Sequence, residues 1–187
     1  IAGAARMKVK ICGITTPEDL LLADRAGADY AGIVLASGSK RQVSLERLRE
    51  LGAVPVRLKR VGVFVRATPR QIARAILLGR LTVVQLYGCS FRQAGIEVWY
   101  ATPGKHARHT IVLDAYPGLG RVGDWNHAAR VARTRRMVLS GGLTPDNLDA
   151  AIQTVHPWCV DVSSGTEASP GHKDHQKVLA FIRKAKS

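Results

Sequence analysis

The feature that most constrains this 187-residue chain is its rhythm: short apolar runs recur about every twenty residues, most of them separated by a helical segment. The runs fall at 8–12, 30–35, 60–65, 82–86, 96–100, 111–114, 137–140 and 159–163. Tyr30-Ala31-Gly32-Ile33-Val34-Leu35 is apolar on both faces, as in a strand of a parallel sheet covered by helices. Thr16-Pro17, Ser44, Thr68-Pro69 and Thr144-Pro145 read as helix starts, a hydroxyl N-cap with proline often at the first helical position. They predict helices over 17–26, from 44, over 69–78 and to about 154, with others over 126–134 and from Lys173 to Lys186. Eight βα units imply an α/β fold that closes on itself, a single-domain (β/α)8 TIM barrel over residues 8–187, with residues 1–7 as an N-terminal extension. An open doubly wound sheet would be expected to carry a glycine-rich dinucleotide fingerprint after an early strand, and none is present.

The rhythm falters once. Residues 88–96 leave room for barely a turn of helix, and Pro103-Gly104 breaks the next connection, so the fourth and fifth helices should be shortened or missing.

In barrels of this kind chemistry collects at the carboxyl ends of the strands. Lys8-Val9-Lys10-Ile11-Cys12 ends in a thiol followed at once by Gly13, and alternation puts Lys10 and Cys12 on the face opposite Val9 and Ile11. Cys12 is either a small buried hydrophobe or a site thiol whose ionised form Lys10 favours. Asp114 closes an otherwise apolar strand, as an acid/base group or as an N-cap for the next segment. Gly141-Gly142 and Ser163-Ser164-Gly165 come after the last two strands, where small residues let backbone N–H groups approach a phosphate. Closure would set strand eight beside strand one, bringing Lys10 to Asp161 as an internal ion pair. Arg41 lies after the second strand in a polar loop.

Composition narrows the partners. A net charge of +14 raises nucleic acid, but the basic residues are spread along the chain and aromatics are 5%, unlike a stacking platform. The charge suits attraction of a small anionic substrate. No apolar run approaches the ~20 residues of a membrane span. Three cysteines without a CxxC pair read as free thiols of a reducing cytoplasm, and the six histidines show no metal-ligand spacing, so no metal is expected.

Taken in order, Lys10-Ile11-Cys12-Gly13-Ile14-Thr15, Ser39-Lys40-Arg41, Val61-Gly62-Val63-Phe64, Val84-Gln85-Leu86, Leu113-Asp114-Ala115, Gly118-Leu119-Gly120 through Asp124-Trp125, Leu139-Ser140-Gly141-Gly142-Leu143 and Asp161-Val162-Ser163-Ser164-Gly165 resemble the phosphoribosylanthranilate isomerase family of tryptophan biosynthesis. The resemblance implies a cofactor-free Amadori rearrangement of N-(5-phosphoribosyl)anthranilate, with Cys12 as general base, Asp114 as general acid and Arg41 on the anthranilate carboxylate. It implies a thiol pKa lowered by positive charge and a carboxyl pKa raised by a dry site. The chain departs from the family pattern at Tyr87, where histidine is usual, at Cys89-Ser90, where an acidic residue is common, and at Gly123, which replaces a bulky residue. A histidine-pathway aminoaldose isomerase would carry aspartate at Cys12, and a non-catalytic barrel binding nucleic acid is the reading from another class. The fold allows a monomer or a homodimer.

Overall fold

A computed structural model describes residues 6–101, 109–114 and 123–187. Eight parallel strands close into a barrel in chain order: β1 (Lys8–Cys12), β2 (Tyr30–Val34), β3 (Lys59–Val65), β4 (Val83–Tyr87), β5 (Glu97–Tyr100), β6 (Thr110–Asp114), β7 (Met137–Ser140) and β8 (Cys159–Val162). Closure is the parallel pairing of β1 with β8, in which Lys10 stands opposite Asp161 and Ile11 opposite Val162. The expected (β/α)8 barrel is present.

Strand alternation builds the two faces of the wall. Val9, Ile11, Ile33, Phe64, Leu86, Leu139 and Val160 point outward into the main core beneath the helices. Tyr30, Val61, Val83, Trp99, Val112, Val138 and Cys159 point inward and fill the amino-terminal end of the barrel. That inner plug is aromatic at its centre: Tyr30 and Trp99 meet edge to face at 4.8 Å. The lower barrel is therefore solid, and any open space lies at the carboxyl ends of the strands.

The outer helices are α1 (Pro17–Ala26), α2 (Leu45–Ala53), α3 (Pro69–Gly79), α4 (Trp125–Ala132), α5 (Leu148–Val155) and α6 (His175–Lys186). Thr16, Ser44 and Thr68 cap α1, α2 and α3 as their sequence suggests, and Thr68 forms a reciprocal capping box with Gln71. Among the described residues no helix joins β4 to β5, in line with the expected trimming. The second trimmed connection, 102–108, lies outside the described residues, as do Gly118-Leu119-Gly120 and residues 1–5 of the extension.

Two helix starts differ from expectation. Thr144 and Asn147 exchange side-chain-to-backbone hydrogen bonds at 2.9 and 3.3 Å, so a capped turn occupies 144–147 and α5 begins at Leu148. Lys173 is not helical. It belongs to a two-stranded antiparallel hairpin of β9 (Glu167–Ser169) and β10 (His172–Lys173), and Asp174 caps α6 instead. The hairpin turns at Pro170-Gly171, where Gly171 has φ 86°.

The first and last elements of the barrel are clasped together. Lys186, near the end of α6, donates to the carbonyl of Met7 at 2.9 Å and pairs with Asp29, which also binds Lys8 at 2.7 Å.

Candidate active site

A cavity of about 640 Å³ opens at the carboxyl ends of the strands. Cys12, Gln85, Tyr87, Asp114 and Asp161 face it from the strands, with Arg41, Gly141, Gly142, Ser163 and Ser164 on its rim. Of the residues singled out in the sequence, only Lys10 and Gly165 stand behind this surface rather than on it.

Beneath Cys12, Lys10 is 0% and Asp161 3% exposed, with Nζ and Oδ2 2.7 Å apart. Burial works against the Lys10 ammonium, but the Asp161 carboxylate, with a smaller share from the Cys12 sulfur, more than offsets it, so its pKa is raised and it stays charged. Ser140 adds a hydroxyl to the same carboxylate oxygen at 3.3 Å. This pair is a fixed charge layer between the aromatic plug and the cavity.

Cys12 is 9% exposed and stands opposite Gly32 on β2. A Cβ on Gly32 would lie 2.6 Å from the Cys12 sulfur, so the glycine makes room for the thiol. Burial is the largest influence on that thiol and raises its pKa; Lys10 lowers it, Asp161 raises it and Lys173 lowers it. The net direction is upward, which corrects the expectation of a lowered value. Lys10 does act on the sulfur as its position suggests, but its charge is shared with Asp161, and desolvation prevails.

Asp114 ends β6, half-buried, beside Ser140 in register. Tyr87 Oη lies 3.4 Å from its Oδ2 and accepts from Gln85 Nε2 at 2.9 Å. Residues 115–122, which follow Asp114, lie outside the described residues, so the alternative of a cap for the next segment falls there too.

Arg41 does not stand alone. Its Nε and Nη2 form a bidentate fork with Glu167, both contacts at 2.7 Å. Lys173 also reaches Glu167 at 3.4 Å and donates to the Ser163 carbonyl at 3.1 Å. Burial pushes the Glu167 carboxyl up, yet Arg41, Lys173 and the Gly171 N–H together hold it below the ordinary range. The Nη1 edge of Arg41 is outside the fork. Gly13, with φ 79°, lets the guanidinium stem pass, since a Cβ there would meet Arg41 Cδ at 2.8 Å.

Across the rim, Gly141 and Gly142 both have left-handed φ, 95° and 65°. Asn147 holds this turn through the Gly142 carbonyl at 2.8 Å. A Cβ at Gly165 would fall 1.9 Å from the Leu143 carbonyl oxygen, so the two turns pack backbone to backbone only because no side chain intervenes. Such a double turn presents backbone amides rather than side chains. Among the described residues no His, Cys, Asp and Glu group could hold a metal ion, and no helix is long and apolar enough to cross a membrane.

The sequence reading missed Glu167, Lys173 and Gln85 as members of the site. Alternation along β4 could have found Gln85, two residues before Tyr87. The turn signal Ser169-Pro170-Gly171 could have warned of a hairpin bringing Glu167 and Lys173 together.

The family model for N-(5'-phosphoribosyl)anthranilate (PRA) isomerase matches residues 9–184. An N-(5'-phosphoribosyl)anthranilate isomerase of Rubrobacter xylanophilus is 38% identical over 204 aligned positions, covering 96% of this chain and 99% of that one. The alignment is longer than the 187-residue chain, so this chain is internally shorter than its relative. The crystal structure of the phosphoribosyl anthranilate isomerase from Thermotoga maritima superposes with a TM-score of 0.86 at 37% identity, covering 96% of this chain and 98% of that one. Another such isomerase, solved in complex with reduced 1-(o-carboxyphenylamino)-1-deoxyribulose 5-phosphate, gives a TM-score of 0.82 at 36% identity, covering 96% and 98%.

Proposed function

The chain belongs to the N-(5'-phosphoribosyl)anthranilate isomerase family, and on that premise we propose that it converts N-(5-phosphoribosyl)anthranilate into 1-(2-carboxyphenylamino)-1-deoxyribulose 5-phosphate in tryptophan biosynthesis, with Cys12 as general base and Asp114 as general acid. The observation that carries the reading is one cavity faced by a thiol from β1 and a carboxyl group from β6, with a guanidinium and two glycine turns on its rim. Such a cavity suits a substrate that is anionic at two places and reacts between them.

Each group has its own part. Gly141, Gly142, Ser163 and Ser164 hold the phosphate through backbone amides and hydroxyls, and Gly165 behind them lets the two turns pack together. Arg41 meets the anthranilate carboxylate through the guanidinium edge that Glu167 leaves outside its fork. Asp114 gives its proton to the furanose ring oxygen as the C1–O bond breaks, and the nitrogen lone pair forms the Schiff base. Cys12, as thiolate, then takes the C2 proton, and the electron pair released makes the enolamine that tautomerises to the ketone. Two groups on well-separated strands can address the ring oxygen and C2 without meeting each other.

The position of Lys10 under Cys12 supports the base role despite the raised thiol pKa, since a buried cation steadies the small thiolate fraction that reacts. Free cysteines, Cys12 and Cys159 among them buried, support a reducing cytoplasm as its location.

The test monitors the loss of substrate fluorescence with freshly generated phosphoribosylanthranilate. Wild type turns over, while Cys12→Ser and Asp114→Asn each lose on the order of 10³-fold in kcat and still bind a reduced product analogue. Wild-type protein that binds the analogue but never consumes substrate would sink the reading.

A further inference from the structure

Gln85 and Tyr87 are two residues apart on β4, so both face the barrel interior and both line the cavity. Gln85 is 2% exposed, and its Nε2 donates to Tyr87 Oη at 2.9 Å. Tyr87 Oη lies 3.4 Å from Asp114 Oδ2. The series has a direction. An amide N–H can only donate, so it takes a lone pair of the phenolic oxygen and leaves the phenolic hydrogen to point at the carboxyl group.

We propose that Tyr87, held by Gln85, is a positioning residue for Asp114: it fixes the orientation of the carboxyl group and donates to the carboxylate that forms as Asp114 releases its proton. This rests on the reading of Asp114 as general acid. A general acid leaves its conjugate base behind, and the transfer is eased when a donor already points to where that charge develops. A phenol suits the task because it donates without itself ionising. Burial, with Asp114 nearby, pushes the Tyr87 ionisation above its ordinary value, so the hydroxyl keeps its hydrogen throughout the working range. A separation of 3.4 Å is long for an O–H···O contact. For the hydroxyl to act in this way, the contact must shorten as charge develops on the carboxylate.

Tyr87→Phe removes only the hydroxyl, and Gln85→Met removes the amide that steers it at similar volume. Tyr87→Phe is expected to lose about tenfold in kcat with KM changed by less than about twofold. The Asp114 carboxyl, titrated by ¹³C NMR, moves to higher pKa, because the lost donor favoured the ionised form. Gln85→Met shifts both readouts in the same direction by less. In the Asp114→Asn background Tyr87→Phe changes kcat no further, because the group it serves is gone. An unchanged kcat and Asp114 titration in Tyr87→Phe, or an equal loss in the Asp114→Asn background, overturns the proposal alone. Full activity in Asp114→Asn overturns the acid assignment and this proposal with it.

Discussion

At the scale of the residue, Cys12 is caught between two opposed influences. Burial and the Asp161 carboxylate favour the neutral thiol, while Lys10 and Lys173 favour the thiolate, and the sum lies on the thiol side. The thiolate is the species that alkylates. Modification of Cys12 by iodoacetamide, tracked peptide by peptide in a mass spectrometer, should therefore accelerate with pH and reach half its maximal rate above the ~8.5 of a free cysteine. A midpoint below that value would mean that the two lysines prevail. The sequence showed that Lys10 and Cys12 share a face, because alternation is a local rule. It could not show the sign of the thiol's shift, which depends on how far Asp161 neutralises Lys10 and how dry the pocket mouth is. The same limit applied to Arg41. Its loop was legible, but its partner Glu167 lies 126 residues further on, and no local pattern joins them.

At the scale of the element, the hairpin of β9 and β10 braces one rim of the site. Glu167 joins Arg41 on the second βα loop to Lys173 on the hairpin, and Thr15 on the first loop donates to the Gly171 carbonyl at 2.6 Å. Three loops are thus tied by one carboxylate and one hydroxyl. Because the Glu167 carboxyl is held below its ordinary value, its share of stability is fully present above the unfolded value of ~4.3 and disappears as pH falls through the lowered native value. Urea unfolding between about pH 3 and pH 7 should show this: wild type loses stability on the acid side, and Glu167→Gln is less stable at neutral pH with a flatter acid limb. Parallel acid limbs in the two proteins would count against the brace. The main barrel elements were legible because each carries its own signal: unbroken apolar runs for the strands, and Thr16, Ser44 and Thr68 as caps for the helices. Strands of three and two residues carry no such signal, so Lys173 was absorbed into the periodicity of the helix behind it.

At the scale of the whole molecule, 28 basic against 14 acidic residues give a +14 particle around a cavity read as taking a doubly anionic substrate. Charge of this kind acts on encounter rather than on bond-making, and salt screens it over a length of about 10 Å at 0.1 M. Raising the ionic strength from about 20 to 300 mM should lower kcat/KM severalfold and leave kcat nearly constant. A fall confined to kcat would show that salt disturbs the site itself and not the approach to it.

The same scale shows a consequence of the way the barrel is closed. Lys10 reaches its carboxylate across 151 residues of chain, since Asp161 belongs to the last of the eight strands. A ribosome adds residues at roughly 5–20 per second, so on the order of ten seconds or more passes between the emergence of the lysine and that of its counter-ion. Throughout that interval the first strand lacks one of its two neighbours, and the thiol lacks the charges of Asp161 and Lys173. Among the eight barrel strands, the one translated earliest is the last to be committed. A nascent chain stalled before β8 carries seven of the eight barrel strands and no assembled site, so it is expected to turn over no substrate.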